Sequence, residues 1–494
     1  MEYCKNFNVR NERNLTMLVD FYELTMGNGY LESDMQDTVA YFDMFFRRIP
    51  DDGGYCIMAG VQQVIEYLSS LRFTEDDIEY LEHKGIFSDK FLNYLRNFKF
   101  TCDVWAIPEG TAVFPNEPLI TVKGPAIQAQ FIETMVLITI NHQTLVATKA
   151  NRICRAAGNR PVMEFGSRRA HGYDSAIYGA RAAIIGGCSA TACTIADEMF
   201  NIPAIGTMAH SWVQLFETEY EAFEAWAKVN PTDCVLLIDT YNILKSGLPN
   251  AIKVFDNVLK PQGFRPKGIR IDSGDITYLT KKCREILDDA GYTDVNIVIS
   301  NSLDEFIIRD VLSQGAVIDS LGVGERLITA KSEPVFGGVY KLCAVKQNGN
   351  NTITPKIKIS ENEEKITNPG FKKVYRIYDK KANKAMADLI TLNDEIIDVT
   401  KPIEIFDPVY TWKKKKIKDY YIKELMVRIF DKGTCVYESP DVMEIRKFAQ
   451  NETEKLWPEV LRFENPHNYY VDLSLNLWNL KQELIHKYSV DYEE

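Results

Sequence analysis

The chain has only six histidines among its 494 residues, and its ten cysteines include no C-x-x-C pair or Cys/His cluster at zinc-finger spacing. The nearest two, Cys188 and Cys193, are too isolated to suggest a disulfide framework, so free thiols in a reducing cytoplasm are expected. No apolar run approaches the ~20 residues needed to cross a bilayer, so no membrane partner is expected. The first residues, MEYCKNFNVRNERN, lack the basic-then-apolar layout of a secretory leader. Positive charge is also short: the net charge of −12 argues against a nucleic-acid partner, whose phosphates must be neutralised. The one basic run, Lys413 to Lys416 with Lys418, reads as a solvated edge. What remains is an ordinary globular composition, 46% hydrophobic and 26% charged, long enough for two or three domains.

Residues 1–150 mix elements and are expected to form an N-terminal α+β domain. A helix is predicted over Leu15 to Met26, a strand over Thr38 to Arg47, and helical blocks between Gly60 and Phe98. Strand-like pieces follow from Val104 to Val122, then a long, weakly charged helix from Gln128 to Arg155. Residues 151–340 are rhythmic. Short apolar runs at Pro161, Gly187, Pro203, Cys234, Lys267, Asn296 and Ile318 each lead into a polar or glycine cluster and then a helical segment. Such βα units imply an α/β fold with a parallel sheet. An irregular barrel with its site at the strand C-termini is the leading expectation; a doubly wound open sheet is the alternative. Residues 341–494 lose the rhythm and read as a C-terminal α+β extension. It has a turn at Asn348–Asn351, exposed strands at Lys356–Ser360 and Val374–Tyr378, and a helix from Asp472 to His486.

The candidate chemistry lies at the ends of the rhythmic runs. His210 follows a short β-like run and precedes a helical stretch, which suits a nucleophile or proton carrier as well as a satisfied core histidine. Arg168 and Arg169 can make bidentate anion contacts. Arg270 and Asp272 share one face of a strand end, opposite Ile271. Ser273-Gly274-Asp275 and Gly322-Val323-Gly324 are tight turns whose backbone N–H groups can approach a phosphate. Asp272 and Asp275 can hold ribose hydroxyls or a magnesium ion shared with a pyrophosphate. Together they point to an anionic, phosphorylated ligand.

Seven segments carry a resemblance to the nicotinate phosphoribosyltransferase family: DFYELTMGNGY (20–30), NHQTLVATKANRI (141–153), VMEFGSRRAHG (162–172), GTMAHS (206–211), GIRIDSGD (268–275), SNSLDE (300–305) and GVGERL (322–327). The resemblance implies a type II phosphoribosyltransferase fold, an irregular α/β barrel packed with an N-terminal domain. It implies transfer of phosphoribosyl from phosphoribosyl pyrophosphate to nicotinate, driven by ATP with Mg²⁺, in a homodimer with shared sites in the cytoplasm.

Carried over by residue, His210 matches the histidine phosphorylated by ATP and Asp272 the carboxylate near the ribose. Tyr22, from the partner subunit, and Phe165 match the aromatics that sandwich the pyridine ring. Arg168, Thr207 and Arg270 match positions near the base and its donor. Ser273, Gly274 and Asn301 fall in substrate-binding motifs, and Gly322 and Gly324 in the loop that takes the 5-phosphate. Glu325 stands where some relatives have threonine, which leaves its role open. Nicotinamide phosphoribosyltransferase, the nearest alternative, resembles this pattern but has an aspartate where Met208 stands; a carboxylate there would repel an acid substrate. A barrel lyase or isomerase acting on a sugar phosphate would need a strand-end lysine or base, and these strand ends offer no lysine.

Overall fold

A computed structural model describes residues 13–347 and 352–489. The turn expected at Asn348–Asn351 lies outside the described residues. The chain divides into two compact units. One comprises the described residues up to His142, Val335–Ser439 and those from Asn451 on; the other is Gln143–Pro334 with Pro440–Gln450.

The first unit is built on a seven-stranded sheet in which every pairing is antiparallel. Its order is Thr354–Pro355, Val339–Lys346, Val39–Phe45, Ile120–Pro125, Asp103–Ala106, Val427–Asp431 and Thr434–Cys435. Helices Phe21–Glu32, Glu75–His83 and Asp89–Arg96 pack Leu24, Leu31, Ile78, Leu81, Phe91 and Leu95 into one apolar cluster. Thr74 and Asp77 form a capping box that fixes the start of the second of these helices.

A second sheet in this unit runs Tyr420–Glu424, Lys372–Asp379, Ala385–Leu392 and Val471–Leu473. The strand expected to be exposed at Val374–Tyr378 is instead central and covered on both faces. Ile377 joins an apolar cluster on one side, and Arg376 is buried by ion pairing on the other. No strand forms at Lys356–Ser360; the pairing ends at Thr354–Pro355, with one last bond from the Lys356 amide to the Cys343 carbonyl at 2.8 Å. The lysine run does form an edge: among the described residues Lys414–Ile417 pairs only with Ile403–Phe406, and its lysines are exposed.

The second unit holds a parallel sheet of six strands, here numbered β1 (Val162–Glu164), β2 (Ala190–Thr191), β3 (Val235–Leu237), β4 (Gly268–Ile271), β5 (Asn296–Asn301) and β6 (Ser320–Val323). Its order is β2-β1-β6-β5-β4-β3 and every pairing is parallel. Helices Tyr173–Gly186, Thr194–Phe200, Glu219–Val229, Leu248–Val254, Ile276–Asp289 and Glu305–Ser313 fill the crossovers, as the alternating pattern predicts.

Two details differ from that pattern. The run at Pro203 is reduced to one bridge, Thr191 to Ala204, flanked by a proline and by Gly206, both poor strand residues. The helical segment expected after the Pro203 run is two helices, His210–Gln214 and Glu219–Val229, because a Thr218–Glu221 capping box starts a new one. Among the described residues no helix is long and apolar enough to cross a membrane, and all nine described cysteines are free.

Candidate active site

At the C-terminal ends of these strands a polar network forms around two side chains, Arg270 and Asp239. Arg270 lies one residue before the end of β4, and its guanidinium reaches four neighbours at once. Nε donates to Ser300 Oγ at 2.7 Å, Nη1 to Thr207 Oγ1 at 3.0 Å and to the Met208 carbonyl at 3.3 Å, and Nη2 to Asp272 Oδ1 at 3.2 Å. Ser300 Oγ also donates a short hydrogen bond to Asp272 Oδ1. The planar fork thus fixes residues from three chain segments relative to one another. The face of the Phe165 ring lies 5.6 Å from the Arg270 guanidinium carbon, a cation–π geometry.

Asp239 follows β3, and its side chain is almost fully buried. Its Oδ2 accepts from the Asp272 amide at 3.1 Å and from Ser273 Oγ at 2.6 Å. Its Oδ1 lies 3.1 Å from His210 Nε2. The carboxylate can only accept there, so it holds the imidazole proton on Nε2 and leaves the Nδ1 lone pair as the nucleophilic site. The His210 side chain is 39% exposed, so that nitrogen is open to a ligand.

Two glycines are set by close approach. A Cβ on Gly322 would stand 2.5 Å from the Phe165 ring, so the ring lies directly on the β6 backbone. Gly274 has φ +88°, which a side chain would strain, and turns the chain from Ser273 into helix Ile276–Asp289. Asp275 caps that helix, accepting from the Tyr278 amide at 2.7 Å.

The structure therefore brings His210, Thr207, Arg270, Asp272, Ser273, Phe165 and Gly322 into one network. Arg168 is exposed within the short turn Ser167–Arg169. Asn301 is exposed at the end of β5, where its side chain accepts from the Ser302 amide. Gly324 precedes the short helix Glu325–Ile328. Glu325 pairs with Lys331 at 2.6 Å, and that ammonium lowers its carboxyl below the ordinary range. Tyr22 belongs to the other unit, on helix Phe21–Glu32, and is largely exposed. Met208 is buried.

Asp239, Ser300 and Glu164 are additions that the sequence reading did not single out. Each ends a short apolar run, and a polar residue closing such a run is the signal they offered.

Similarity to known proteins extends over nearly the whole chain. Family models described as the nicotinate phosphoribosyltransferase N-terminal domain, family and C-terminal domain match residues 17–141, 161–389 and 371–481. The chain is 43% identical over 482 residues to a nicotinate phosphoribosyltransferase of Bacillus subtilis, covering 97% of each. The chain belongs to the nicotinate phosphoribosyltransferase family.

It is a phosphoribosyltransferase enzyme of mixed α/β structure. The crystal structure of human nicotinic acid phosphoribosyltransferase superposes with a TM-score of 0.81 at 26% identity, covering 94% of this chain and 99% of that one. A Pyrococcus furiosus structure titled nicotinate-nucleotide pyrophosphorylase shares the fold, with a TM-score of 0.69 at 23% identity over 91% of this chain and 98% of that one.

Proposed function

We propose that this enzyme transfers the phosphoribosyl group of phosphoribosyl pyrophosphate to the ring nitrogen of nicotinate, coupled to ATP through a phosphohistidine at His210. The observation that carries the coupling is the His210–Asp239–Ser273/Asp272 chain of hydrogen bonds. Its single carboxylate presents Nδ1 of His210 as the phosphoryl acceptor and also holds the turn that follows β4. Phosphorylation adds charge beside that turn, which gives ATP a means of ordering the donor site.

In the transfer step the C1′–oxygen bond to pyrophosphate breaks and a C1′–nitrogen bond to the pyridine forms. Positive charge developing at the ribose is favoured by the Asp272 carboxylate, which Arg270 and Ser300 hold in place. Phe165 offers a flat face for the pyridine, with Tyr22 of a partner subunit as the second face in a homodimer. Arg168 and Arg270 suit the carboxylate and phosphate groups of the two substrates. The buried, uncharged Met208 suits an acid substrate better than an amide.

Among the described residues no cluster of three acidic, histidine or cysteine groups is set to hold a metal. Mg²⁺ keeps most of its waters and takes one or two carboxylates, so it would arrive with its pyrophosphate. Asp272 would supply one; Asp275, engaged as a helix cap, would supply a second through its free oxygen. Bound there, Mg²⁺ would neutralise the leaving pyrophosphate.

The parallel sheet fits a barrel. Its strands follow one another in chain order, with β6 beside β1, and one gap stands between Ala204 and β3. The His210–Asp239 contact spans that gap. The reaction would serve pyridine-nucleotide salvage in the cytoplasm.

Incubation with nicotinate, phosphoribosyl pyrophosphate, Mg²⁺ and ATP should yield nicotinate mononucleotide, pyrophosphate, ADP and phosphate. Turnover of nicotinamide but not nicotinate would reject the substrate assignment. His210→Ala should lose ATP hydrolysis and labelling by γ-labelled ATP while retaining slow uncoupled transfer. ATP-driven turnover unchanged in that variant would reject the phosphohistidine.

A further inference from the structure

Glu164 ends β1, is fully buried, and makes no contact with a substrate position itself. One oxygen accepts a short hydrogen bond from the Gly166 amide, and the other accepts from Thr191 Oγ1 at 2.6 Å. Burial raises its carboxyl above the ordinary range while these two donors lower it, and no cation is among the groups acting on it. A carboxylate buried without a counter-charge is expensive to keep. Packing alone would be served as well by an apolar side chain of the same size.

Its two donors explain what the group does. Gly166 follows Phe165, whose own amide donates to the Val323 carbonyl at 2.8 Å while its ring lies on Gly322. There is no slack at Gly166: a Cβ would meet Ile328 at 2.6 Å and Glu164 Oε1 at 2.8 Å. On the other side, the Thr191 amide donates to the Pro203 carbonyl at 3.0 Å, and its carbonyl accepts from the Ile205 amide at 2.8 Å. That segment runs directly into Thr207 and His210. Thr191 Oγ1 also accepts from the Cys193 amide at 3.0 Å, which aims its single proton at Glu164.

We propose that Glu164 is a positioning residue that sets the Phe165 ring against the Thr207–His210 segment, and so fixes the slot for the pyridine substrate. The inference rests on the reaction proposed above and deepens it. The role needs a group that accepts on both ends. Glutamine, with one oxygen and one NH₂, opposes a donor to one of the two donors already aimed at it.

The test measures KM and kcat separately for Glu164→Gln, Thr191→Val and Thr191→Ser, alongside melting temperature. Wild-type turnover of nicotinate in the same assay tests the reaction itself. If the wild type consumes another pyridine base, the ratios are taken with that base, so the two readings fail separately. In Glu164→Gln the KM for the base should rise about 30-fold. The KM for phosphoribosyl pyrophosphate and the melting temperature should stay near wild type. Thr191→Val should shift the same constant, and Thr191→Ser, which keeps the hydroxyl, should restore it. A wild-type KM for the base in Glu164→Gln would overturn the proposal. So would an equal rise for both substrates with a lowered melting temperature, or a Thr191→Ser variant as impaired as Thr191→Val.

Discussion

Two arginine–carboxylate networks, one in each unit, use the same chemistry for opposite ends. In the first unit Arg376 grips Asp388 through Nε at 2.8 Å and Nη2 at 2.6 Å, donates to the Ala112 carbonyl, and faces Glu452 at 3.7 Å. Tyr469 donates to Asp388 at 3.0 Å and stacks on Phe114 with ring centroids 3.8 Å apart. Burial above all, with the Asp388 carboxylate beside it, pushes the Glu117 carboxyl well above its ordinary range. The side chains of Arg376, Asp388 and Glu452 are exposed by no more than about 1%. In the second unit Arg270 holds four partners, but Asp272 keeps 28% of its side chain in solvent and His210 39%. The first network is closed and can only hold the fold. The second is tied below and open above, which is what a site for charged ligands requires.

The largest effect should come from the closed network. Arg376→Met leaves Asp388 buried without its cation, and should cost about 3–5 kcal/mol in urea unfolding. The fraction that folds should retain near-wild-type KM values. A loss below about 1 kcal/mol would mean that this cluster does not support the fold as a buried ion pair does.

The contrast also bears on what the sequence could reveal. The βα rhythm was legible because each parallel strand is an apolar run closed by a polar or glycine turn, and His210, Arg270 and Asp272 stand at those closures. Asp239 and Glu164 stand at closures too, yet nothing local to them shows that they bridge segments far apart in the chain. The Glu164–Thr191 pair is 27 residues apart and the Asp239–Ser273 pair 34. The closed network was less visible still. Val374–Tyr378 alternates as an exposed strand would, and only the second covered face shows why an arginine sits there. The break between His210–Gln214 and Glu219–Val229 was readable in principle, since Thr218 and Glu221 spell a capping box inside a helix-like run.

A smaller effect on stability, with a large one on chemistry, should mark the open network. Asp239→Asn keeps the size of the side chain but puts a donor toward either His210 or Ser273. Labelling of the enzyme by γ-labelled ATP should fall about 100-fold, while urea unfolding moves by no more than about 1 kcal/mol. Loss of the fold in this variant would erase the distinction between the two networks.

Glu23 offers the finest test, because it is buried without being in either network. It sits beside Tyr22, accepts from the Thr134 amide at 3.1 Å and Thr134 Oγ1 at 2.6 Å, and meets no cation. Burial above all, with lesser repulsion from Glu133 and Asp20, pushes its carboxyl up to about 7, against an ordinary value of 4.5. The folded form therefore holds a proton that the unfolded form releases between those two values. Stability falls as pH rises through that window, and the penalty is complete above pH 7. Glu23→Gln removes it: the variant should equal the wild type near pH 4 and exceed it by about 1 kcal/mol at pH 8, allowing for solvent screening. Urea unfolding at both pH values gives the difference directly. An equal offset at the two would show that the Thr134 hydrogen bonds, and not the buried charge, govern this end of the helix.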